Sequence, residues 1–223
     1  MIIITGASRG IGKAICDRFY SKGIDILGLA RNIDNLDFPA KTCDISSFNS
    51  IKKIRKEIGS RKITGLINVA GISSMNLAIL TPGKTVQNII QTNLIGTIFC
   101  CQQFAPLMIR HKEGTIINFS TVAVPLKLKG ESIYVASKAG IEGFTSVFAR
   151  EMSEFNIRVN CISPGPINTD LLRGITSKQI NGILSQQVIQ KQFKTEDVAD
   201  LVEVLIDKRS SSLSGQTFYI GGV

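Results

Sequence analysis

The sequence has few of the residues that build metal sites and disulfide frameworks. Its 223 residues include one histidine, His111, and five cysteines, an odd number that contains no C-x-x-C pair. A thiolate metal site, a disulfide framework and a Ser-His-Asp triad are therefore not indicated. No apolar run approaches the ~18 residues of a membrane span, and no charged and apolar leader precedes the strand-like residues 2–4. We expect a soluble, cytoplasmic protein without a bound metal.

Acidic residues are scarce relative to basic ones. There are 17 Asp and Glu against 26 Lys and Arg, which leaves a formal net charge of +9. Such a surplus favours acidic partners or phosphorylated ligands without choosing among them. The densest basic run, at residues 52–62, is interpreted as a solvated face, because Phe48 is the only aromatic residue close to it. We therefore expect neither a nucleic acid nor a membrane as partner.

The apolar residues, 43% of the chain, follow a regular pattern. Short β-branched runs alternate with longer amphipathic stretches, which is typical of repeated βαβ units. Strands are predicted at residues 2–5, 24–30, 41–43, 63–69, 115–119, 157–162 and 217–220, and helices at 11–21, 48–58, 86–110, 134–155 and 195–206. The pattern predicts an α/β fold over residues 1–223, one domain with a doubly wound parallel sheet of six or seven strands and helices on both faces.

A glycine-rich segment follows the first predicted strand. It reads T-G-A-S-R-G-I-G at residues 5–12 and leads into a predicted helix. Backbone N–H groups in such a turn and the positive end of the helix bind a pyrophosphate, and glycines allow its close approach. The spacing differs from G-x-G-x-x-G. We interpret the segment as a dinucleotide-binding loop, with a plain tight turn as the alternative.

The end of the second predicted strand carries a cation where NAD-binding folds carry an acid. Arg31 lies 19 residues after Gly12, and a guanidinium binds a 2′-phosphate that a carboxylate would repel. Arg9, within the loop, can reach the same group. The two arginines predict NADP(H) rather than NAD(H); the alternative is that both are solvated surface charges.

A second cluster lies at the start of a predicted helix. Tyr134 and Lys138 are four residues apart, so the phenol and the ammonium group share one helical face. A phenol donates a proton at neutral pH only where a nearby positive charge stabilises the phenolate. The pair predicts an acid–base site, although Y-x-x-x-K by itself also occurs by chance on surface helices.

Taken together, these motifs resemble the short-chain dehydrogenase/reductase family over essentially the whole chain. The motifs are T-G-A-S-R-G-I-G at 5–12, C-D-I-S at 43–46, N-V-A-G at 68–71, Asn93 in N-L-I-G-T, I-N-F-S-T at 117–121, Y-V-A-S-K at 134–138 and N-C-I-S-P-G-P-I-N-T at 160–169. The resemblance implies a Rossmann-like fold and an NADPH-dependent reduction of a ketone to a secondary alcohol. Within the family, the C-terminal third is closest in pattern to 3-oxoacyl-[acyl-carrier-protein] reductases.

The resemblance also implies a set of cofactor contacts. Asp44 would contact the adenine beside the Ile45 backbone, and residues 164–169 would line the nicotinamide carboxamide and the phosphates. The implied cofactor-binding residues are Gly6, Ser8, Arg9, Gly10, Ile11, Gly12, Arg31, Asp44, Ile45, Asn68, Ala70, Gly71, Tyr134, Lys138, Pro164, Gly165, Ile167 and Thr169.

Four catalytic roles are implied in the same way. Tyr134 would be the general acid, Lys138 would hold the ribose hydroxyls and lower the tyrosine pKa, and Asn93 would anchor a water in a proton relay. The serine that polarises the carbonyl in the family lies 13 residues before the tyrosine, and this position is Thr121 here. We assign the role to Thr121, with the neighbouring Ser120 as the alternative.

The substrate is less well defined. An acidic acyl carrier protein fits the net charge of +9. Of two basic positions that the carrier-dependent reductases use, Lys112 occupies one, but Phe155 stands at the other, and residues 185–194 contain neither Pro nor Gly. The alternatives are a sugar, polyol or secondary-metabolite carbonyl, or a catalytically silent NADP-binding sensor. The resemblance also implies a homodimer or homotetramer.

Overall fold

Parallel strands form the centre of the computed structural model, which describes residues 1–169 and 176–223. The strands are β1 (Ile2–Thr5), β2 (Ile26–Ala30), β3 (Ala40–Thr42), β4 (Gly65–Asn68), β5 (Gly114–Phe119), β6 (Ile157–Ser163) and β7 (Thr217–Tyr219). They pair in the order β3-β2-β1-β4-β5-β6-β7, and every pairing is parallel. In β1, Ile4 lies opposite Gly28 of β2 on one side and Ile67 of β4 on the other.

Helices cover both faces of this sheet. Within the described ranges they are α1 (Gly10–Ser21), α2 (Phe48–Ile58), α3 (Gly83–Ile89), α4 (Gly96–Ile109), α5 (Ala123–Leu126), α6 (Ser132–Ser153), α7 (Ser177–Leu184) and α8 (Thr195–Ile206). A π-helical segment, Ile90–Ile95, joins α3 to α4. None of the described helices is long and apolar enough to cross a membrane.

The apolar core is divided by the sheet into two layers. One layer packs α1 and α8 against the sheet through residues such as Phe19 and Val202. The other packs α2, α4 and α6 through Ile54, Phe104 and Met152. Of the five inner strands, β1, β2, β4 and β5 are buried at every residue and β6 at every residue but Arg158, as expected for strands covered on both faces.

The predicted fold class is confirmed, and the sheet has seven strands. Several element bounds were wrong. The helix expected at 86–110 is three consecutive segments from Gly83 to Ile109, because residues 90–95 take π-helical bonding that apolar periodicity does not reveal. The strand expected from residue 24 begins at Ile26, since Ile24 N donates to Phe19 O as α1 ends. The helix expected at 134–155 spans Ser132–Ser153, and α5 and α7 were not predicted.

The order of the strands in the sheet determines where the site lies. The strand order reverses between β2-β1 and β4-β5, so the connections after β1 and β4 leave on opposite faces of the sheet. A crevice opens at such a switch point beyond the carboxyl ends of the strands. The loops that begin after Thr5, Asn68 and Phe119 therefore surround one space.

Candidate active site

A single cavity of about 800 Å³ occupies this crevice. This volume lies within the range of ligand-binding pockets. All but two of the residues predicted for cofactor binding or catalysis line it. The lining residues among them are Gly6, Ser8, Arg9, Gly10, Ile11, Gly12, Arg31, Asp44, Ile45, Ala70, Gly71, Thr121, Tyr134, Lys138, Pro164, Gly165, Ile167 and Thr169.

The loop between β1 and α1 leaves no room for side chains at two of its glycines. Gly6 has φ +71°, in the left-handed region, and a Cβ there would lie 2.9 Å from the backbone of Ala70. A Cβ at Gly12 would lie 2.2 Å from Gly6 O. No side chain caps α1 at its N-cap residue, Arg9. The N–H groups of the first turn thus remain for an anion in the cavity, and the loop fits a dinucleotide phosphate.

The rim near β2 and β3 holds the residues predicted to select and contact the adenosine half. Arg31 is exposed and lines the cavity directly after β2. Asp44 Oδ1 accepts hydrogen bonds from Ser46 N at 2.9 Å and Ser46 Oγ at 2.7 Å. This turn fixes the Asp44 carboxylate at the cavity wall. Ile45 beside it is buried, and its carbonyl abuts Gly96.

Asn68 and Asn93 lie behind the cavity wall. Asn68 Nδ2 donates to Asn118 Oδ1 at 2.9 Å, which links β4 to β5 inside the sheet. Asn93 is fully buried and binds Ile72 through both amide atoms, at 2.8 Å to the N–H and 2.9 Å to the carbonyl. Its Nδ2 also lies 3.0 Å from Ser137 Oγ on α6. The side chain of Asn93 therefore positions the loop after β4 against α6.

Tyr134 and Lys138 meet at the inner end of the cavity, as their spacing predicts. Lys138 Nζ lies 5.8 Å from the centre of the Tyr134 ring, and both side chains are buried. The ammonium group donates to Phe119 O at 2.7 Å, at the end of β5. This bond uses one of its three N–H donors. The remaining two are available to hydroxyl groups of a bound ligand.

The two hydroxyls that follow β5 have different partners. Ser120 Oγ donates to Glu142 Oε1 at 2.6 Å, so its proton is directed away from Tyr134 and toward α6. The Thr121 hydroxyl lies near enough to the Tyr134 phenol to lower its pKa, and it accepts from Ala123 N at 3.2 Å. The geometry therefore favours Thr121 over Ser120 as the hydroxyl beside the reacting atoms.

The protonation of the pair departs from the expectation in one respect. Burial raises the pKa of the Tyr134 phenol, and the charge of Glu131 raises it further, while the nearby Thr121 hydroxyl lowers it. Burial also lowers the pKa of Lys138 to about 8. Lys138 is not among the causes of the shift in the tyrosine pKa, so the expected lowering of this pKa by Lys138 is not seen, and desolvation dominates. The phenol keeps its proton at neutral pH and is set up as an acid rather than as a base.

The cysteines take no part in this chemistry. All five are buried free thiols. Burial raises the pKa of each of them, to about 12 for Cys16, Cys101 and Cys161, so none is a thiolate at neutral pH. Within the described ranges, no group of three or more His, Cys, Asp or Glu side chains could hold a metal ion.

Comparison with known proteins assigns this arrangement to a family. A family model described as short chain dehydrogenase matches residues 1–180. The chain belongs to the short chain dehydrogenase family. Among curated short chain dehydrogenase relatives, the 3-oxoacyl-[acyl-carrier-protein] reductases of Buchnera aphidicola and Escherichia coli K12 are each 31% identical, over 99% of this chain and 95% of theirs.

A solved short chain dehydrogenase structure is similar in fold. The ligand-free aldohexose dehydrogenase of Thermoplasma acidophilum superposes with a TM-score of 0.89 at 29% identity, and the match covers 99% of this chain and 92% of that one. The short chain dehydrogenase assignment makes the chain a member of an oxidoreductase family. The stretch whose pattern suggested acyl-carrier reductases includes residues 170–175, which lie outside the described residues.

Several lining residues of this short chain dehydrogenase site were missed by sequence reasoning, and Glu131 is the one closest in sequence to Tyr134. Glu131 lies three residues before Tyr134, is 6% exposed, and faces the same cavity. A residue at this spacing shares a helical face with Tyr134, which was the available signal. An apolar wall, formed by Met75, Leu128 and Ile183, was missed as well. Its members come from three separate segments, so no local pattern marks them.

Proposed function

We propose that the protein is an NADPH-dependent oxidoreductase that reduces a ketone to a secondary alcohol. One observation carries the proposal. The Tyr134 phenol, beside Lys138 and lining the same cavity as Thr121, shares this cavity with the glycine-rich loop at residues 5–12. An acid, a cation and a phosphate-binding loop in one cavity are the components that carbonyl reduction by a dinucleotide needs.

The cofactor would occupy the crevice along the sheet edge. The first turn of α1 and the glycines at 6 and 12 hold the pyrophosphate, and Asp44 and residues 164–169 contact the two halves. Arg9 and Arg31 line the same cavity. Their guanidinium groups could form paired hydrogen bonds to the 2′-phosphate that NADPH carries and NADH lacks, which supports NADPH as the cofactor. The nicotinamide supplies the hydride when bound.

The protein's own side chains would move the proton. Thr121 and Tyr134 both direct hydroxyls to the substrate oxygen, which polarises the carbonyl. The alkoxide that develops is far more basic than a phenolate, so Tyr134 protonates it even though burial raises the pKa of the phenol. Lys138, whose pKa is lowered to about 8, is still largely cationic at neutral pH and stabilises the phenolate that remains. Asn93 would position the loop after β4 and anchor the relay that restores the proton.

Two substrate classes have support. A 3-oxoacyl group on an acyl carrier protein is supported by the names of relatives 31% identical over nearly the whole chain, and by the net charge of +9. Lys112 would contact the carrier, but Phe155 packs against the core and offers no second cation. A sugar, polyol or other carbonyl is supported by the likeness to the aldohexose dehydrogenase and by the polar Glu131 in the cavity.

The assembly would be a homodimer or a homotetramer. On α6, the rings of Phe144 and Phe148 stack at 4.9 Å, and the neighbouring Val147 is 57% exposed. Such an apolar strip on a long helix is suited to pairing with its copy through a twofold axis.

The deciding experiment replaces Tyr134 by Phe, which removes the phenolic proton and little else. Tyr134→Phe should bind NADPH with wild-type affinity and should lose turnover by about 10³-fold or more on any ketone that the wild type reduces. Tyr20→Phe is the matched control, because Tyr20 is 47% exposed on α1 and remote from the cavity lining. Full activity of Tyr134→Phe would contradict the mechanism. A wild type that binds NADPH but reduces no ketone or acetoacetyl thioester would support the silent sensor instead.

A further inference from the structure

One buried polar atom in the cavity has no partner. In the described part of the chain, three buried side-chain oxygens lack a hydrogen bond, one each in Asn68, Glu131 and Gln187. Of these residues only Glu131 lines the cavity. A buried acceptor without a donor costs free energy, and a carboxylate costs more than a neutral amide. A ligand that brings a donor to Glu131 Oε2 would recover this cost.

The carboxylate is not used to cap the helix at whose start it lies. Glu131 is the N-cap residue of α6, but its side chain makes no hydrogen bond to the first turn. The backbone of Glu131 is fixed on both sides, since its N–H donates to Leu128 O at 3.2 Å and its carbonyl accepts from Val135 N at 2.7 Å. The side chain therefore sits in the cavity for a reason other than helix capping.

The position of Glu131 is that of a group beside the reacting carbonyl. It lies three residues before Tyr134, at the N-cap of α6, and both side chains line the same cavity. The charge of Glu131 also raises the pKa of Tyr134. Opposite it runs the loop that carries Met75, held by the bond from Asn76 N to Gly130 O at 2.9 Å. Met75 and Leu128 line the cavity here. These two neighbours are apolar, so a hydrogen bond to Glu131 is poorly screened on their side.

We propose that Glu131 selects the substrate: its carboxylate accepts a hydrogen bond from a hydroxyl or ammonium group carried next to the carbonyl that Tyr134 protonates. This inference rests on the proposed carbonyl reduction and deepens it. A hydroxyketone or an aminoketone presents such a donor. A 3-oxoacyl thioester presents only a methylene group and a second carbonyl at that distance, so it leaves the carboxylate unpaired. The preferred substrate is therefore a carbonyl compound with an adjacent donor.

Three ketones of equal size test the proposal. Butanone, hydroxyacetone and aminoacetone differ only in a methyl, a hydroxyl or an ammonium group beside the same carbonyl. Their kcat/KM values are measured with NADPH at about pH 8, where Glu131 is ionised, because burial raises its pKa to about 7. The same three ketones are titrated into Tyr134→Phe protein with NADPH, which reports binding without turnover. The variants are Glu131→Leu and Glu131→Gln, and the control is Glu151→Gln, an exposed glutamate of α6.

The wild type should prefer at least one donor-bearing ketone to butanone by roughly tenfold to a hundredfold, the value of a hydrogen bond to a charged group. Glu131→Leu should abolish this preference, and Glu151→Gln should keep it. Glu131→Gln distinguishes the two donors. The glutamine amide oxygen still accepts a hydrogen bond from a hydroxyl, so the preference for hydroxyacetone should persist, but it carries no charge to pair with an ammonium ion, so the preference for aminoacetone should fall.

The inference would be overturned if Glu131→Leu kept the wild-type preference for a donor-bearing ketone over butanone. It would also be overturned if the Tyr134→Phe protein bound all three ketones equally or bound none of them. Binding that depends on Glu131 without turnover by the wild type would uphold the hydrogen bond to Glu131 and refute the proposed reduction.

Discussion

The turn between β1 and α1 makes a quantitative prediction at Gly12. A Cβ added there would lie 2.2 Å from Gly6 O and 2.7 Å from Gly6 C, both backbone atoms. Ordinary contacts between such atoms begin near 3.5 Å, so the turn would have to retreat by about 1 Å. Gly6 is itself packed against the backbone of Ala70. We expect Gly12→Ala to lower the free energy of unfolding by about 3 kcal/mol, the upper end for overpacked cores.

The matched control is Gly182→Ala, which also places an alanine within a helix. A Cβ at Gly182 meets nothing within 4 Å. The free energy of unfolding of Gly182→Ala should be unchanged or higher by up to about 1 kcal/mol, because alanine has a higher helix propensity than glycine. Urea unfolding measures both variants, and Gly12→Ala should lower the midpoint by about 1 M. NADPH fluorescence titration should show affinity at least about tenfold weaker for Gly12→Ala alone. Equal stability and equal affinity of the two variants would refute the close-packing argument.

Three further substitutions test the roles of single side chains. Arg31→Asp should lower the ratio of kcat/KM for NADPH to that for NADH by about a hundredfold or more, because a carboxylate repels the 2′-phosphate; an unchanged ratio would remove Arg31 from cofactor selection. Thr121→Val should lower kcat by about 10² to 10³ while NADPH binding persists, because a hydroxyl donor at the carbonyl is lost. Ser120→Ala should lower turnover far less and cost about 1 kcal/mol of stability, since Ser120 Oγ bonds Glu142; the reverse order of kcat values would assign the polarising role to Ser120.

The features that could be predicted are those set by spacing within a few residues. Tyr134 and Lys138 are one helical turn apart, so any α-helix there brings them to the same face. The glycines at 6 and 12 follow a β-branched run and precede an amphipathic one, a local order that predicts a phosphate-binding turn. The same reasoning gave the helices Phe48–Ile58 and Thr195–Ile206 with their observed bounds.

Local signals were weaker where the elements are short. Helix α7 has eight residues, too few for a clear period, but Thr176 and Gln179 form a capping box that marks its start. Helix α5 has four residues and no such signal. The π-helical segment at Ile90–Ile95 contains no Gly or Pro to mark a change from the helices beside it, so only its backbone bonding reveals it.

The sequence by itself determined the fold class, the candidate phosphate-binding loop and the Tyr134–Lys138 pair, because each depends on periodicity or on neighbours along the chain. Only the tertiary structure favours Thr121 over Ser120, since the partner of Ser120 is Glu142, 22 residues away on α6. It also revealed the burial of Glu131 in the cavity. A glutamate at the start of a helix is ordinarily exposed, and this one is buried because the loop that carries Met75 and the segment before α6 close over it. Burial and hydrogen-bond partners arise from segments distant along the chain, which is why packing rather than pattern revealed the residue that we propose selects the substrate.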